Sequence, residues 1–407
     1  MSWQTVTLGD IATFSNGINF DKRAYTSGVK FIGVSNFGDR FKPDYSELSE
    51  VKKEVVRKSD YLADGDIVFV RSNGNKALVG RCMLVQNAPE PVTFSGFCIR
   101  CHITDTTLFD PVFMTYHFKS AMFRQAMSGT AVGANIQNLS QGRMTAYTAK
   151  IPDIETQRRI ASILFAYDDL IENNQKQIKL LEEAAQRLYK EWFVDLRFPG
   201  WETAEIVDGV PVGWRIDNIA NVCTRINAGG TPSRRNKAYW ENARINWYKT
   251  GELQDCWLIE AEEKISQEGL NNSSAKIFPA NAIIMAIYAS PTLGRLGIIS
   301  SESATNQAAL CLIADERIIS WQWLYHKLYE LRDEFNAIAK GAGQQNISAE
   351  VVKKKEIVIA PKQIIDSFTS LVEPLFEMRL KSQIQNQKLT EARDRLLPKL
   401  MSGEIEV

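Results

Sequence analysis

Two polar loops carry the side chains of this sequence that are best suited to chemistry, and each loop follows a short apolar run. In the first, Asp66-Ile-Val-Phe-Val70 leads into Arg71-Ser-Asn-Gly-Asn-Lys76. In the second, Asn281-Ala-Ile-Ile-Met285 leads towards Tyr288-Ala-Ser-Pro-Thr292. Arg and Lys match the acceptors of guanine, Asn and Gln match adenine, and Ser and Thr are adaptable. Loops of this composition can hydrogen-bond to the edges of nucleic-acid bases.

The motifs of common catalytic sites are absent from the sequence. No two prolines are adjacent, so the Asn/Asp-Pro-Pro-aromatic motif of adenine methyltransferases is missing. Gly33-Val-Ser-Asn-Phe-Gly38 is followed by Asp39, where a phosphate-binding loop needs Lys. Asp255 with Glu262-Glu263-Lys264 fits a nuclease pattern only loosely, and such loose patterns arise often by chance. We therefore expect a chain without a catalytic centre.

One cysteine pair leaves a metal site open as an alternative. Cys98-Ile-Arg-Cys101 is followed by His102, and these residues could supply half of a zinc site. The pair lies in a strand-like run from Phe97 to Ile103, and no second pair follows at zinc-ribbon spacing. We favour cysteines of a hydrophobic core and expect no metal.

The composition is that of an ordinary globular protein with two or three domains, 407 residues long and 44% hydrophobic. Its 48 basic and 48 acidic residues cancel, whereas a purely electrostatic DNA binder would be more basic. Basic groups would have to be concentrated on one face or supplied by a partner. The six cysteines suit a reducing compartment. Since neither a signal segment nor a membrane span is recognisable, we expect a cytoplasmic protein that makes no contact with a membrane.

The two loops belong to an internal repeat, with one copy in each half of the chain. Each copy opens with a tryptophan, has a Gly-Arg pair after its loop, then a Tyr-His pair and an Asn-Ile pair. These are Trp3 and Trp214, Gly80-Arg81 and Gly294-Arg295, Tyr116-His117 and Tyr325-His326, and Asn135-Ile136 and Asn346-Ile347. Recurrence of the Tyr-His pairs at a framework position favours a packing role. Matches in the same order predict two similar domains that mix strands and helices.

Each copy ends in a long, Gly-free helical segment. The predicted plan is one globular domain at 1–150, a central helix at 151–198, a connector at 199–213, a second globular domain at 214–360 and a C-terminal helix at 361–407. Pro374 predicts a bend that separates a short entry helix from a long one. The fold class is therefore α+β, with two similar domains joined by two long antiparallel helices in a pseudo-two-fold repeat.

A spacing of three and four residues places one stripe on each long helix. The predicted helix-pairing residues are Tyr167, Leu170, Asn174, Leu181 and Leu188 on the first helix, and Leu375, Met378, Ser382, Leu389 and Leu396 on the second. Both stripes are polar in the middle, which an intramolecular antiparallel coiled coil would use to set its register. The alternative is two amphipathic helices that each pack on their own domain.

With this plan the chain resembles the specificity subunits of type I restriction-modification enzymes. The resemblance rests on the two-domain plan and on three segments: Ile151-Pro-Asp-Ile-Glu-Thr-Gln157-Arg-Arg-Ile160, Pro211-Val-Gly-Trp214, and the closing Arg395-Leu-Leu-Pro-Lys-Leu-Met-Ser-Gly-Glu-Ile405. One departure is Ile364, which stands where Gln157 has its counterpart.

The resemblance implies a non-catalytic subunit that reads double-stranded DNA at a bipartite, asymmetric site. It implies two modification (methyltransferase) subunits and further restriction (motor-nuclease) subunits as partners. S-adenosylmethionine, ATP and magnesium would then be bound by those partners, and this chain would hold no cofactor.

The residues that we nominate for DNA contact have side chains with suitable donors and acceptors in the polar loops. They are Ser35, Asn36, Arg71, Ser72, Asn73, Asn75, Lys76 and Arg81 in the first domain, and Thr231, Ser233, Arg234, Arg235, Lys249, Thr250, Tyr288, Ser290 and Arg295 in the second.

Two other functions remain open from the sequence alone. One is a free-standing DNA-binding regulator or scaffold built from the same two modules. The other is a nuclease or methyltransferase whose site has no recognisable motif. Tight specific binding by the chain alone would favour the regulator, and metal-dependent cutting by the chain alone would favour the nuclease.

Overall fold

The computed structural model describes residues 3–38, 40–72, 79–128, 138–288, 292–341 and 346–407. Contacts divide the chain into two compact units. Unit 1 combines Met1–Asn174 with Gln385–Val407, and unit 2 is Gln175–Ile384. Each unit therefore contains one globular part and one portion of each long helix.

The described part of unit 1 mixes short strands and helices. Its strands are β1 (Trp3–Thr7), β2 (Ala12–Asn16), β3 (Tyr25–Ile32), β4 (Ser49–Val51), β5 (Ile67–Val70), β6 (Cys82–Leu84), β7 (Val92–Phe94), β8 (Cys98–Ile103) and β9 (Thr148–Pro152). Its helices are α1 (Leu8–Ile11), α2 (Pro111–Lys119), α3 (Ala121–Ser128), α4 (Gln141–Thr145) and the first part of α5 (Ile154–Phe193). The sheet orders are β2-β8-β5-β6, β4-β3-β7 and β1-β9.

Strand β5 shows why an apolar run forms the centre of unit 1. Successive side chains of a strand point to opposite faces, so a strand covered on both faces is apolar throughout. Ile67 and Phe69 pack in the core that contains helix α2, and Val68 and Val70 pack in a second core with Phe94 of β7. The chain therefore leaves the core abruptly after Val70, where the first polar loop begins.

The described part of unit 2 repeats this order of elements. Its strands are β10 (Ile206–Val207), β11 (Val210–Pro211), β12 (Arg215–Asn218), β13 (Cys223–Ala228), β14 (Ile245–Tyr248), β15 (Cys256–Leu258), β16 (Glu263–Ile265), β17 (Ile283–Ala286), β18 (Leu296–Ile299), β19 (Ala304–Thr305), β20 (Ala309–Ala314) and β21 (Glu356–Ile359). Its helices are α6 (Gln267–Asn271), α7 (Trp321–Glu330), α8 (Arg332–Gly341), α9 (Ala349–Lys353) and the first part of α10 (Lys362–Ser402).

The sheets of the two units share one topology. The orders β13-β20-β17-β18, β16-β14-β19 and β12-β21 match the three sheets of unit 1 strand by strand. Unit 2 adds β15, which pairs parallel to β18. The predicted fold class, two similar α+β domains in an internal repeat with two long helices, is confirmed.

The repeated Tyr-His pairs are buried, as the sequence predicts. Tyr116 and His117 lie on α2, and Tyr325 and His326 lie on α7. Burial lowers the pKa of His117 to about 4 and that of His326 to about 3, so both imidazoles are neutral at physiological pH. These pairs pack the framework of each unit.

Helix α10 runs without interruption from Lys362 to Ser402, so the expected separation into a short and a long helix at Pro374 is wrong, while a bend at this residue stays a prediction. A proline inside a helix costs about 3 kcal/mol because it lacks an N–H donor and its ring clashes with the preceding turn. Val372 and Phe376 on either side are buried in the core of unit 2, and their burial offsets that cost.

The long helices contact each other inside each unit. In unit 1, the Arg393 guanidinium lies 2.5 Å from the Asp168 carboxylate, and Asn174 Nδ2 donates to Asn386 Oδ1 at 2.9 Å. In unit 2, Arg379 Nη2 lies 3.4 Å from Glu182 Oε2. From the first of these unit 1 contacts to the second, the residue number increases on α5 and decreases on α10, so the helices run antiparallel there.

The buried face of the helices differs from the stripe proposed for pairing. Asn174 and Ser382 are buried, but Leu170 and Met378 are 46% and 41% exposed. Their neighbours Ile171 and Arg379, one residue further on, are buried instead. The remaining stripe residues are half-buried, namely Tyr167, Leu181, Leu188, Leu375, Leu389 and Leu396. Leu170 and Met378 therefore lie outside the buried face, Asn174 contacts the other helix through Asn386, and a pairing role for the other stripe residues stays a prediction.

The buried face differs from the predicted stripe because each helix packs on a globular core as well as on the other helix. Asp168 accepts a hydrogen bond of 2.5 Å from the Tyr116 hydroxyl, and Arg379 Nη2 donates to the Asp255 carbonyl oxygen at 3.1 Å. A face that serves two partners is wider than a coiled-coil seam, and a three-four spacing alone does not locate its centre. The two alternatives for these helices are therefore not exclusive, since each helix contacts both the other helix and a globular core.

None of the helices in the described ranges combines the length and the apolar character that crossing a membrane demands.

Candidate nucleic-acid interface

In unit 1, the ends of several strands meet at one edge of the sheets. Strands β2 and β5 run antiparallel to β8, so the residues after Asn16 and Val70 lie beside the start of β8 at Cys98. Strand β3 is parallel to β7, so the residues after Ile32 lie beside those after Phe94. Polar residues far apart in the sequence therefore follow strand ends on the same side of the unit.

Backbone hydrogen bonds tie these strand ends together. The Ser95 N–H donates to the Ile32 carbonyl at 3.0 Å, and the Arg71 N–H donates to the Phe97 carbonyl at 2.8 Å. We call the resulting surface edge 1, and its described members are Asn16, Ser35, Asn36, Arg71, Ser72, Arg81, Phe97, Asn138 and Gln141. The topology thus brings together the described nominees of unit 1. Asn73, Asn75 and Lys76 lie outside the described residues.

The nominees of edge 1 differ in how far their side chains are already engaged. Arg71 Nη1 donates to the Gly96 carbonyl at 3.4 Å, a long and weak bond that leaves most guanidinium donors for other partners. Asn36 Oδ1 accepts the Gly33 N–H at 2.8 Å and so caps its own short turn. Ser35 is exposed. Asn36 is therefore a weaker candidate for base contact than Ser35 or Arg71.

Two polar side chains that the sequence analysis missed also belong to edge 1. Gln141 at the start of α4 donates from Nε2 to Oδ1 of Asn16 at 2.9 Å, which joins the end of β2 to that helix. Both residue types can pair with adenine. The available signal was the glycine after Asn16: a Cβ at Gly17 would lie 2.3 Å from the Ser95 carbonyl oxygen, so only glycine allows this approach.

Edge 2 is the matching surface of unit 2. The Tyr248 end of β14 meets the Thr305 end of β19 in parallel, and the Ala286 end of β17 meets the start of β20. Its described members are Thr231, Ser233, Arg234, Arg235, Lys249, Thr250, Tyr288, Arg295, Gln307 and Asn346. Ser290 lies outside the described residues.

One isolated β-bridge in each unit shows which residues of edge 1 and edge 2 are equivalent. Ser72 forms an isolated bridge with Asn138, and Tyr288 forms one with Asn346. The Leu139 N–H donates to Arg71, and the Ile347 N–H donates to Ile287. Ser72 therefore corresponds to Tyr288, and Arg71 to Ile287.

This correspondence corrects the repeat alignment, which paired Asn135-Ile136 with Asn346-Ile347. Asn135 and Ile136 lie outside the described residues, and Asn138 takes the position equivalent to Asn346. The signal was the serine that follows, since Ser140 and Ser348 cap α4 and α9 in the same way.

Comparison with known proteins shows which protein family carries these edges. A family model described as the type I restriction modification DNA specificity domain matches residues 1–183 and again residues 211–387.

This chain belongs to the type I restriction-modification DNA specificity family.

Relatives of known name agree with this assignment. The chain is 27% identical to the specificity subunit of the type I restriction enzyme HindI from Haemophilus influenzae, over 99% of both chains. It is 28% identical to the MjaIX specificity subunit from Methanocaldococcus jannaschii, over 72% of this chain and 69% of that one. The crystal structure of the S subunit from M. genitalium has a TM-score of 0.62 at 14% identity, over 98% of this chain and 96% of that one. That last likeness shows a shared fold.

Edge 2 of this family member carries a cluster of opposite charges on two tryptophans. The Arg234 guanidinium lies 3.6 Å from the Trp240 ring centroid and pairs with Glu263. Lys249 Nζ lies 2.9 Å from Glu262 and 3.0 Å from Glu263. These hydrogen bonds raise the pKa of Lys249, and the bond from Arg234 lowers the pKa of Glu263. Arg234 and Lys249 are thus partly neutralised before any ligand arrives.

The other nominees of edge 2 vary in exposure. Arg235 and Ser233 are exposed, and Tyr288 is 41% exposed. Thr231 donates its hydroxyl to the side-chain oxygen of Gln307, an exposed residue that the sequence analysis missed. Thr250, Arg295 and, in edge 1, Arg81 are half-buried.

Within the described ranges, the residues of the metal and nuclease alternatives do not form an assembled site. Cys98 and Cys101 are buried in β8, and burial raises the pKa of both thiols, to about 12 for Cys98. Among the described residues no group of three His, Cys, Asp or Glu side chains could hold a metal ion. Asp255 of the nuclease pattern is engaged by Arg332 at 3.0 Å.

Proposed function

We propose that this chain is the DNA-specificity subunit of a type I restriction-modification complex, and that it reads a bipartite, asymmetric site. The observation that supports this proposal is the pair of edges. One topology occurs twice, and the same strand ends carry different side chains in the two copies, such as Ser72 against Tyr288. Side chains with different donors and acceptors read different bases. Two half-sites of unlike sequence follow from this difference.

We assign one recognition module to residues 1–150 and the other to residues 214–360. The long helices at 151–198 and 361–407 then serve as spacers, with 199–213 as a connector. The nominated loops lie within the two modules, while the helix residues follow a separate, apolar pattern. Exchange of a module should therefore change base contacts without changing the helices.

The partners in this proposal are double-stranded DNA, two modification subunits and the restriction subunits. Exposed apolar residues recur on the long helices of both units: Ile163 and Leu170 on α5 in unit 1, and Leu371 and Met378 on α10 in unit 2. In each pair the second residue lies two turns along the helix, so the pair shares one face. Two similar apolar faces suit two copies of one partner subunit.

Catalysis then belongs to the partner subunits. S-adenosylmethionine would be bound by the modification subunits, and ATP and magnesium by the restriction subunits. We place the complex in the cytoplasm, where it meets chromosomal DNA.

Mapping of methylated adenines tests the proposal. The chain is expressed with the modification subunits of its own system in a host without other adenine methylation, and the genome is sequenced for modified bases. We expect all methylated adenines to lie in one asymmetric sequence that is split by an unread spacer. The control omits the chain and should show no methylation. A continuous or palindromic motif, or methylation without the chain, would contradict the proposal.

A further inference from the structure

An exposed phenylalanine stands in the middle of edge 1. Phe97 is 60% exposed, although it lies between Ser95, which is buried, and Cys98, which is buried at the start of strand β8. Several other phenylalanines of unit 1 pack against rings, as Phe41 does on Tyr116 at 4.5 Å. For Phe97 no ring contact occurs among the described residues. A single exposed apolar residue is common on protein surfaces, so its position matters more than its exposure.

The backbone of Phe97 is held firmly. Its carbonyl accepts hydrogen bonds from the Arg71 N–H at 2.8 Å and the Ser72 N–H at 3.4 Å. Its own N–H donates to Ser95 Oγ at 3.3 Å. The ring therefore projects from a fixed backbone directly beside two nominated base-contacting residues. A backbone held in this way loses little conformational entropy when its side chain binds.

The neighbours of Phe97 indicate what it would meet. Arg71, Ser72, Asn16 and Gln141 are of the types that hydrogen-bond to base edges in the major groove of DNA. In that groove the apolar feature of a base pair is the C5-methyl group of thymine, and phenylalanine is one of the side chains that contact it. We propose that Phe97 is a specificity-determining residue that packs against a thymine methyl group in the half-site of unit 1. This inference rests on the proposed function.

Unit 2 lacks this contact at the equivalent position. The Ile287 N–H donates to the Ala308 carbonyl at 3.0 Å, just as the Arg71 N–H donates to Phe97. Ala308 therefore takes the place of Phe97, and its single methyl group is half-buried. The thymine contact belongs to one half-site alone.

Removal of single methyl groups from the DNA tests the inference. The complex of this chain with its modification subunits binds duplexes of the mapped site in which each thymine of the first half-site is replaced in turn by deoxyuridine. We expect one replacement to weaken wild-type binding about fourfold, the value of one buried methyl group. Phe97→Ala should bind the unmodified duplex more weakly and lose its sensitivity to that replacement, while Phe97→Leu should keep part of it.

Controls separate this inference from the proposed function. Tyr25→Ala removes an exposed aromatic residue from the other end of β3 and should leave the sensitivity intact. Unchanged weakening of binding by a base-pair change at another position of the first half-site shows that unit 1 of Phe97→Ala is folded. The inference is overturned if Phe97→Ala keeps the deoxyuridine effect, if no replacement has an effect, or if the half-site contains no thymine. A duplex with 2-aminopurine at one base step tests for insertion of the ring between bases. Fluorescence that rises with the wild type but not with Phe97→Ala would mean insertion and would also overturn the inference. If the wild-type complex does not prefer the mapped site to a scrambled duplex, the proposed function itself fails.

Discussion

Edge 1 and edge 2 are built on the same strand ends, yet they hold their cationic side chains differently. In edge 1, Arg71 has one long bond to a backbone carbonyl. In edge 2, Arg234 and Lys249 are paired with Glu263, and Arg234 also lies over the Trp240 ring. The shared scaffold therefore holds Arg71 open to a new acceptor in one copy, and in the other it holds Arg234 and Lys249 in a largely neutralised cluster while Arg235 stays exposed. The comparison teaches that repeat symmetry of the backbone does not extend to the charge of the surface.

Exchange of a whole module should have the largest effect on this comparison. Replacement of residues 1–150 by those of a homologue should abolish recognition of one half-site, with a loss of specificity on the order of a thousand-fold for the old site. The second half-site should be unchanged, because its module is untouched. Methylation mapping of the hybrid complex measures both. A hybrid with two altered half-sites would rule out independent readers.

The acid–arginine pairs between the long helices distinguish the units next. Asp168→Ala removes the acceptor of the Tyr116 hydroxyl and one of the two carboxylates that pair with Arg393, which keeps Asp394 at 2.8 Å, so we expect a loss of about 3 kcal/mol in unfolding free energy. Glu182→Ala in unit 2 should cost at least as much, since Arg379 is 1% exposed and is left with the Asp255 backbone carbonyl in place of a carboxylate. Urea unfolding measures the difference, and Asp169→Ala, an exposed neighbour, is the control. Equal losses for Asp168 and Asp169 would show that the buried pair is unimportant.

The buried histidines make the stability of both units depend on pH. The unfolded chain takes up a proton at each histidine below about pH 6.5, but the folded chain does so only near pH 4 at His117 and near pH 3 at His326. Because the unfolded state binds more protons in this window, stability is full above pH 6.5 and falls with decreasing pH. His117→Phe should remove a dependence worth about 3 kcal/mol between pH 6.5 and 4. Unfolding curves at several pH values measure this dependence. The prediction is contradicted if the unfolding free energy changes with pH equally in the wild type and the variant.

Single arginine substitutions sharpen the comparison at the smallest scale. Arg71→Ala and Arg235→Ala should each weaken binding of the complex to its site by about 1–3 kcal/mol. Arg234→Ala is the matched control: its guanidinium already pairs with Glu263, so it should cost less than about 0.5 kcal/mol. The affinity of each variant complex for the site, measured at two salt concentrations and compared with the wild type, gives these losses. If Arg234 proves more important than Arg235, the ion pair opens on DNA and the idea of a neutralised cluster is wrong.

The repeat, the α+β class and the two long helices could all be predicted from residue order alone. These features depend on local patterns, such as the apolar run before Arg71 or the long segment after Pro152, and local patterns survive without knowledge of the fold. The predicted loops also come from such local signals. Boundaries that depend on distant contacts were less accessible, as the uninterrupted helix through Pro374 illustrates.

The sequence by itself determined that two like units exist and which polar loops each could offer. Only the tertiary structure decided that Asn16, Arg71, Phe97 and Gln141 share one edge, that Ser72 and not Arg71 corresponds to Tyr288, and that Arg234 is paired with Glu263. The physical reason is that strand pairing and side-chain ion pairs join residues far apart in the chain. Their geometry is set by the packing of the whole unit, which no local periodicity records.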